Sequence, residues 1–117
     1  MARGASQDFQ VFFKEEFDLC LDRIEAFFAE QGHEPLHWWY DKEIEIIDYI
    51  ERVLTDNPFA GRIVERGSFK GLRRITYGKS RHLLLNYLIY YVVYEQDRAI
   101  DVINIVPSRS KRKRVYK

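Results

Sequence analysis

At 117 residues the chain is too short for two ordinary domains but long enough for one core, and its 46% hydrophobic and 15% aromatic content supplies apolar surface that a disordered chain lacks. Its single cysteine excludes an intrachain disulfide framework, and no apolar run is long enough to span a bilayer, so a reducing cytoplasm with no membrane partner is expected. The net charge of +1 hides an asymmetry: up to Asn57 only Arg3, Lys14, Arg23, Lys42 and Arg52 oppose a long series of acids, whereas from Pro58 onward the only acids are Glu65, Glu95, Asp97 and Asp101.

In chain order, "DFQVFF" alternates Phe9, Val11 and Phe13, a period of two that predicts a short strand with one buried face. From Glu15 the period changes. Phe17, Cys20, Leu21, Ile24, Phe27 and Phe28 fall on one helical face, and Glu15, Glu16 and Asp18 place negative charge near the positive end of the helix dipole. Gly32 supplies the stop. Pro35 suits the first turn of a second helix, whose apolar stripe of Leu36, Trp39, Tyr40, Ile47, Ile50 and Leu54 ends before Asn57 and Pro58.

Beyond Pro58 the pattern becomes strands punctuated by glycines. "LRRIT" predicts one strand. "NYLIYYVVYE" predicts another, apolar on both faces and therefore central, with Tyr87, Ile89, Tyr91 and Val93 on one side and Leu88, Tyr90, Val92 and Tyr94 on the other. "EQDRA" turns the chain, and Ile100 to Val106 return antiparallel as a second central strand. Ile24, Ile47, Tyr91 and Ile103 are expected between the helices and one face of the sheet. The predicted fold class is α+β: an N-terminal strand and helical hairpin packed on a small antiparallel sheet, in one domain over residues 1–117 with a basic tail at 109–117.

Several motifs that suggest chemistry dissolve on inspection. "HEPLH" has the spacing of a zinc-protease helix, but Pro35 disfavours helix for the residue before it, which leaves His33 and Glu34 in a loop and predicts no metal site. His82 is read as a strand-start or loop residue, with proton transfer as the functional alternative. Trp39 is assigned to packing and Trp38 to an interface. Ser68, Ser80, Ser108 and Ser110 have no neighbouring base or nucleophile-elbow glycines, no Gly-rich phosphate loop is present, and no cofactor is expected. What remains is the tail, where Arg109, Lys111, Arg112, Lys113, Arg114 and Lys117 crowd together without an acid. Such a field attracts phosphate backbones or an acidic protein segment, unless the tail is merely a solvated end.

Four strings, taken in order, resemble the RelE/ParE superfamily of type II toxin–antitoxin toxins. "FQVFFKEEFDLCLDRIEAFFAEQG" is similar to its first strand and helix, "NPFAGRIV" to its P-x-x-G-R connection, "GLRRI" to its "lR" strand, and "YLIYYVV" to its Y-x-I-x-Y strand, in the form of the ParE-like branch. The resemblance implies a toxin that arrests bacterial growth and is neutralised by a cognate antitoxin. Its implied target is either messenger RNA on the ribosome, which it would cleave, or DNA gyrase, which it would inhibit without enzymatic chemistry. The chain departs from the family in two places. Pro107 stands near the position of a family histidine, and Val92 stands where many members carry arginine. The ending "RKRVYK" is similar to the terminus of ribonuclease members and marks Tyr116.

Cleaving RNA through its 2′-hydroxyl requires a deprotonated hydroxyl, a stabilised phosphorane and a protonated leaving oxygen, which cations and a perturbed tyrosine or lysine can supply if rigidly placed. The candidate catalytic residues are Arg73, Arg74, Arg109 and Tyr116, and the candidate target-binding residues are Arg109, Lys111, Arg112, Lys113 and Arg114. On an alternating strand one of Arg73 and Arg74 would face solvent while the other meets the acidic helices. Three readings stay open: ribosome-dependent ribonuclease, gyrase-inhibiting protein, and non-toxic RNA- or protein-binding domain on the same fold.

Overall fold

The computed structural model describes residues 8–78 and 85–109. The chain forms β1 (Gln10–Phe13), α1 (Glu15–Gln31), α2 (His33–Asp56), β2 (Arg62–Ile63), β3 (Arg73–Tyr77), β4 (Leu85–Tyr94) and β5 (Ala99–Arg109). It is an α+β fold in which the two helices pack on one face of a five-stranded mixed sheet of order β1-β5-β4-β3-β2.

The helices form where the apolar spacing predicts them. α1 carries Glu15, Glu16 and Asp18 in its first turn and buries Phe17, Cys20, Leu21 and Ile24. Phe27 of the same stripe is exposed, on the wall of an open cleft between α1 and β5. Gly32, at φ 126°, is the only residue between α1 and α2, and this backbone conformation is one that a side chain rarely tolerates.

α2 starts earlier than the sequence predicts. His33 and Glu34 are helical, because Pro35 falls in the first turn, where an N–H has no intrahelical partner to lose. The two histidines of "HEPLH" are therefore both on the helix, and both are exposed. Among the described residues no three His, Cys, Asp or Glu side chains are grouped to hold a metal. The helix buries Trp39, Ile46, Ile50 and Leu54. Ile46 thus occupies the core position expected for Ile47, which is half-buried beside it, and Tyr40 turns outward to donate to Glu25 Oε2 at 3.0 Å.

β5 and β4 are the long central pair, antiparallel as expected, joined through a tight turn in which Arg98 adopts φ 51°. The sheet is not antiparallel throughout. β1 joins it as an edge strand parallel to β5, with Val11 opposite Ile100 and Phe13 opposite Val102, rather than packing with the helices against it. A two-residue strand, β2, that no alternation announced is added beside β3.

A bulge resets the faces of β5: Tyr90 pairs with Asn104 but Tyr91 with Val102, so Ile103 is the extra residue. Val102 and Ile105 consequently share the buried face, and Ile103, expected in the core, is half-buried. Together with Ile75, Tyr87, Ile89, Tyr91 and Ile100 they form the sheet's contribution to a core completed by the helices. Among the described residues no helix covers the opposite face. β4 is central yet helix-covered on one side only, and its second apolar face is served by Phe69, which stacks on Tyr90.

Candidate functional site

The connection "NPFAGR" is the hinge on which the basic half of the molecule is built. Asn57 ends α2 and accepts the N–H of Phe59 on its side-chain oxygen at 3.1 Å, turning the chain. The Tyr91 hydroxyl then accepts the N–H of Gly61 at 2.8 Å and donates to the carbonyl of Pro58 at 2.9 Å. Arg73 donates to the carbonyl of Gly61 at 2.7 Å, and its guanidinium lies 5.0 Å from the centre of the Phe59 ring. Burial raises the pKa of Tyr91, although the Gly61 N–H and the nearby Arg73 charge act against that rise.

Arg73 therefore does not meet the acidic helices. It is the tie between β3 and the connection, whereas Arg74, one residue on, is exposed on the helix-free face. There it lies directly opposite Arg62 of β2 on one side and Tyr90 of β4 on the other. Like charges placed opposite one another on an antiparallel pair destabilise it unless something anionic lies between them. Arg66 joins Arg62 and Arg74 around one shallow depression, whose rim also carries Glu65. Among the described residues none of these three arginines forms an ion pair.

Beside them the loop of residues 64–72 is closed at its neck by Val64 N–H to Leu72 carbonyl at 2.8 Å and Gly71 N–H to Val64 carbonyl at 2.9 Å. Its tip delivers Phe69 onto Tyr90, with ring centroids 4.0 Å apart and planes 19° from parallel. The helix-free face thus juxtaposes guanidinium groups with a flat aromatic stack.

A second feature is an apolar cleft of about 410 Å³ between α1 and β5, lined by Cys20, Ile24, Phe27, Phe28, Tyr87 and Ile105 among others. The Cys20 thiol donates to Asn104 Oδ1 at 3.3 Å inside it. Tyr87 is only 2% exposed, and its hydroxyl has no partner among the described residues. Burial pushes that hydroxyl up to about 12, so it stays neutral at physiological pH. The cleft opens beside the part of β5 past Val102, where no described strand follows β1 along the edge.

Arg109 closes β5 in register with Leu85 of β4. The remaining sequence-predicted residues, Lys111, Arg112, Lys113, Arg114, Tyr116 and Lys117, lie outside the described residues, as does His82. Sequence reasoning passed over Arg62 and Arg66. Arg62 could have been found from the P-x-x-G-R string itself, but its opposition to Arg74 depends on the pairing of β2 with β3. Among the described residues no helix is long and apolar enough to cross a membrane.

No protein-family model matches this chain, and no curated protein matches it at a significant level.

Proposed function

We propose that this protein is the toxin of a type II toxin–antitoxin pair, of the RelE/ParE kind, and that it engages its target through the helix-free face of the sheet. The observation that carries the reading is the cross-strand juxtaposition of Arg62 and Arg74, with Arg66 beside them, on a face that no helix among the described residues covers. Three guanidinium groups without ion-pair partners among the described residues suit a polyanion, which repays the cost of holding like charges together. The order of strand, two helices and strands supports the same reading, as do the four family-like strings.

The antitoxin has a place on the other side of the molecule. An extended segment would pair with the β5 edge and set apolar side chains into the cleft against Phe27, Phe28 and Ile24, while acidic residues reach the basic tail. Of the two targets, the arginine and aromatic face favours RNA on the ribosome, with Arg74 and the tail residues holding phosphates. The "YLIYY" string of β4 favours gyrase, where the same cations would bind without proton transfer.

Induced expression in a bacterial host tests the proposal. Growth arrest is expected, relieved by co-expression of the adjacent reading frame. Arg74→Ala, at an exposed position, should leave the protein folded and weaken the arrest. Pulse labelling then separates the targets: early loss of protein synthesis identifies the ribonuclease, and filamentation with DNA-damage induction identifies gyrase. Abundant folded protein that leaves growth unchanged would establish the non-toxic binding domain instead.

A further inference from the structure

We infer that Tyr90 is a base-stacking platform which the protein's own Phe69 covers in the free state, and that a single-stranded nucleic acid binds by placing one base on Tyr90 in Phe69's stead. The inference rests on the reading of the helix-free face as the target surface, and it names the ligand of that face.

Four observations converge on it. First, Tyr90 projects from the face opposite the core: its neighbours Ile89 and Tyr91 belong to the helix-covered cluster and Tyr90 does not, yet it is only 6% exposed because Phe69 lies over it. Secondly, the contact is a near-parallel stack at 4.0 Å, the geometry a nucleobase adopts on an aromatic ring. Aromatic side chains pair as readily edge to face, as Tyr49 and Tyr77 do at 72°.

Thirdly, beyond this stack Phe69 is held by local backbone bonds of its own loop. It sits in a loop tied at its neck between Val64 and residues 71–72; within the tip the Phe69 carbonyl accepts the Leu72 N–H at 3.0 Å and the Gly67 carbonyl accepts the Lys70 N–H at 3.2 Å. Uncovering Tyr90 therefore calls for rotation of the Phe69 side chain or loss of these two local bonds, while the ladder of β3 stays whole. Gly67 and Gly71, both at φ 92°, flank it and have open space where a Cβ would stand. Fourthly, the charges are in the right row. Arg74 is the cross-strand neighbour of Tyr90 and Arg62 the neighbour of Arg74, so a strand laid across the sheet would meet a ring and then two guanidinium groups in succession, with Arg66 adjoining. Glu65 on the rim opposes the phosphates and sets a limit on affinity.

Phe69 thus protects an otherwise exposed tyrosine face from water and from non-specific apolar contact, and base stacking returns that burial when the ligand takes its place. A ring exchanged for a ring costs little, and the net affinity comes from the phosphates.

The test is binding of a short fluorescent oligoadenylate to the full chain, followed by anisotropy at several salt concentrations, with the ribose and deoxyribose forms compared. Binding of either form is expected. Tyr90→Leu, which keeps an apolar side chain and removes the ring face, should weaken binding by about tenfold in a protein that still unfolds cooperatively, at a somewhat lower melting temperature because the stack on Phe69 is lost. Phe69→Ala should bind as tightly as the parent or more tightly, because the platform is already uncovered. Arg74→Gln should weaken binding and flatten the salt dependence by roughly 0.7 in log–log slope.

Loss of affinity in Phe69→Ala equal to that in Tyr90→Leu would overturn the exchange, since Phe69 would then be part of the platform. Binding of duplex alone, or of neither single strand, would overturn the site. Growth arrest by a protein that binds no oligonucleotide would sink this inference and leave the toxin reading standing. Tight oligonucleotide binding without growth arrest would do the reverse.

Discussion

The backbone N–H of Gly61 donates to the hydroxyl of Tyr91, thirty residues away on the central strand, at 2.8 Å. With the donation of the same hydroxyl to the Pro58 carbonyl, that bond fixes the connection leaving α2 against β4, and the bond from Arg73 to the Gly61 carbonyl ties β3 to it. A Cβ at residue 61 would stand 2.7 Å from the Arg74 carbonyl oxygen and 2.9 Å from the Tyr91 hydroxyl, so the close approach requires glycine.

Removing the Tyr91 hydroxyl leaves the Gly61 N–H buried and unpaired. Tyr91→Phe should therefore lose about 1–3 kcal/mol by denaturant unfolding. Gly61→Ala, which pushes backbone against backbone, should be at least as costly and should weaken target binding as well, because Arg62 and Arg74 would move apart.

Ile46 and Ile47 make a paired test of the helical layer. Ile46 is fully buried and Ile47 half-buried. Ile46→Asp places an unpaired charge in the core and should cost several kcal/mol, on the order of the whole stability of a small domain. Ile47→Asp can turn its carboxylate toward water and should melt at a temperature between the parent and Ile46→Asp. Equal effects of the two would contradict the orientation of α2.

Tyr87 gives a pH prediction. Its folded-state pKa is raised from 10.0 to about 12 by burial, so unfolding releases a proton between those values. The stability contribution is complete below about pH 10 and is lost as the pH climbs toward about 12, by an amount of order 3 kcal/mol. Tyr91 is shifted in the same direction. Tyr87→Phe should flatten part of the alkaline decline. At neutral pH it should be no less stable than the parent, since the hydroxyl it removes has no partner among the described residues. Chemical denaturation at stepped pH measures both effects.

The tail separates charge from proton transfer. A chain ending at Ser110 keeps β5 whole and should fold, but should lose most of its growth-arresting activity along with Lys111, Arg112, Lys113, Arg114 and Tyr116. Tyr116→Phe retains every cation and removes only a hydroxyl. It should slow RNA cleavage on ribosomes if the protein is a ribonuclease, and should leave gyrase inhibition near normal. Full toxicity of the truncated chain would move the working surface entirely to Arg62, Arg66 and Arg74.

The local signals in this chain were enough to determine most of its elements, β2 excepted. The change of period at Glu15, the glycine at 32 and the both-sided apolar run of "NYLIYYVVYE" are properties of neighbouring residues, and α1, α2, β4 and the β4–β5 turn follow from them. Which of two adjacent isoleucines enters the core was beyond such signals. Ile46 and Ile47 differ by one step around the helix, and only the position of the sheet beneath α2 selects between them. The same holds for Val102 and Ile103, because alternation assigns faces correctly only while the register is unbroken, and the bulge opposite Tyr90 breaks it. The parallel pairing of β1 with β5 joins segments almost ninety residues apart, so no local pattern encodes it. The candidate site divides in the same way. The excess of basic residues after Pro58 is plain in the composition, but the division of labour between Arg73 and Arg74, and the meeting of Arg74 with Arg62 and Tyr90, exist only where three strands have been brought side by side.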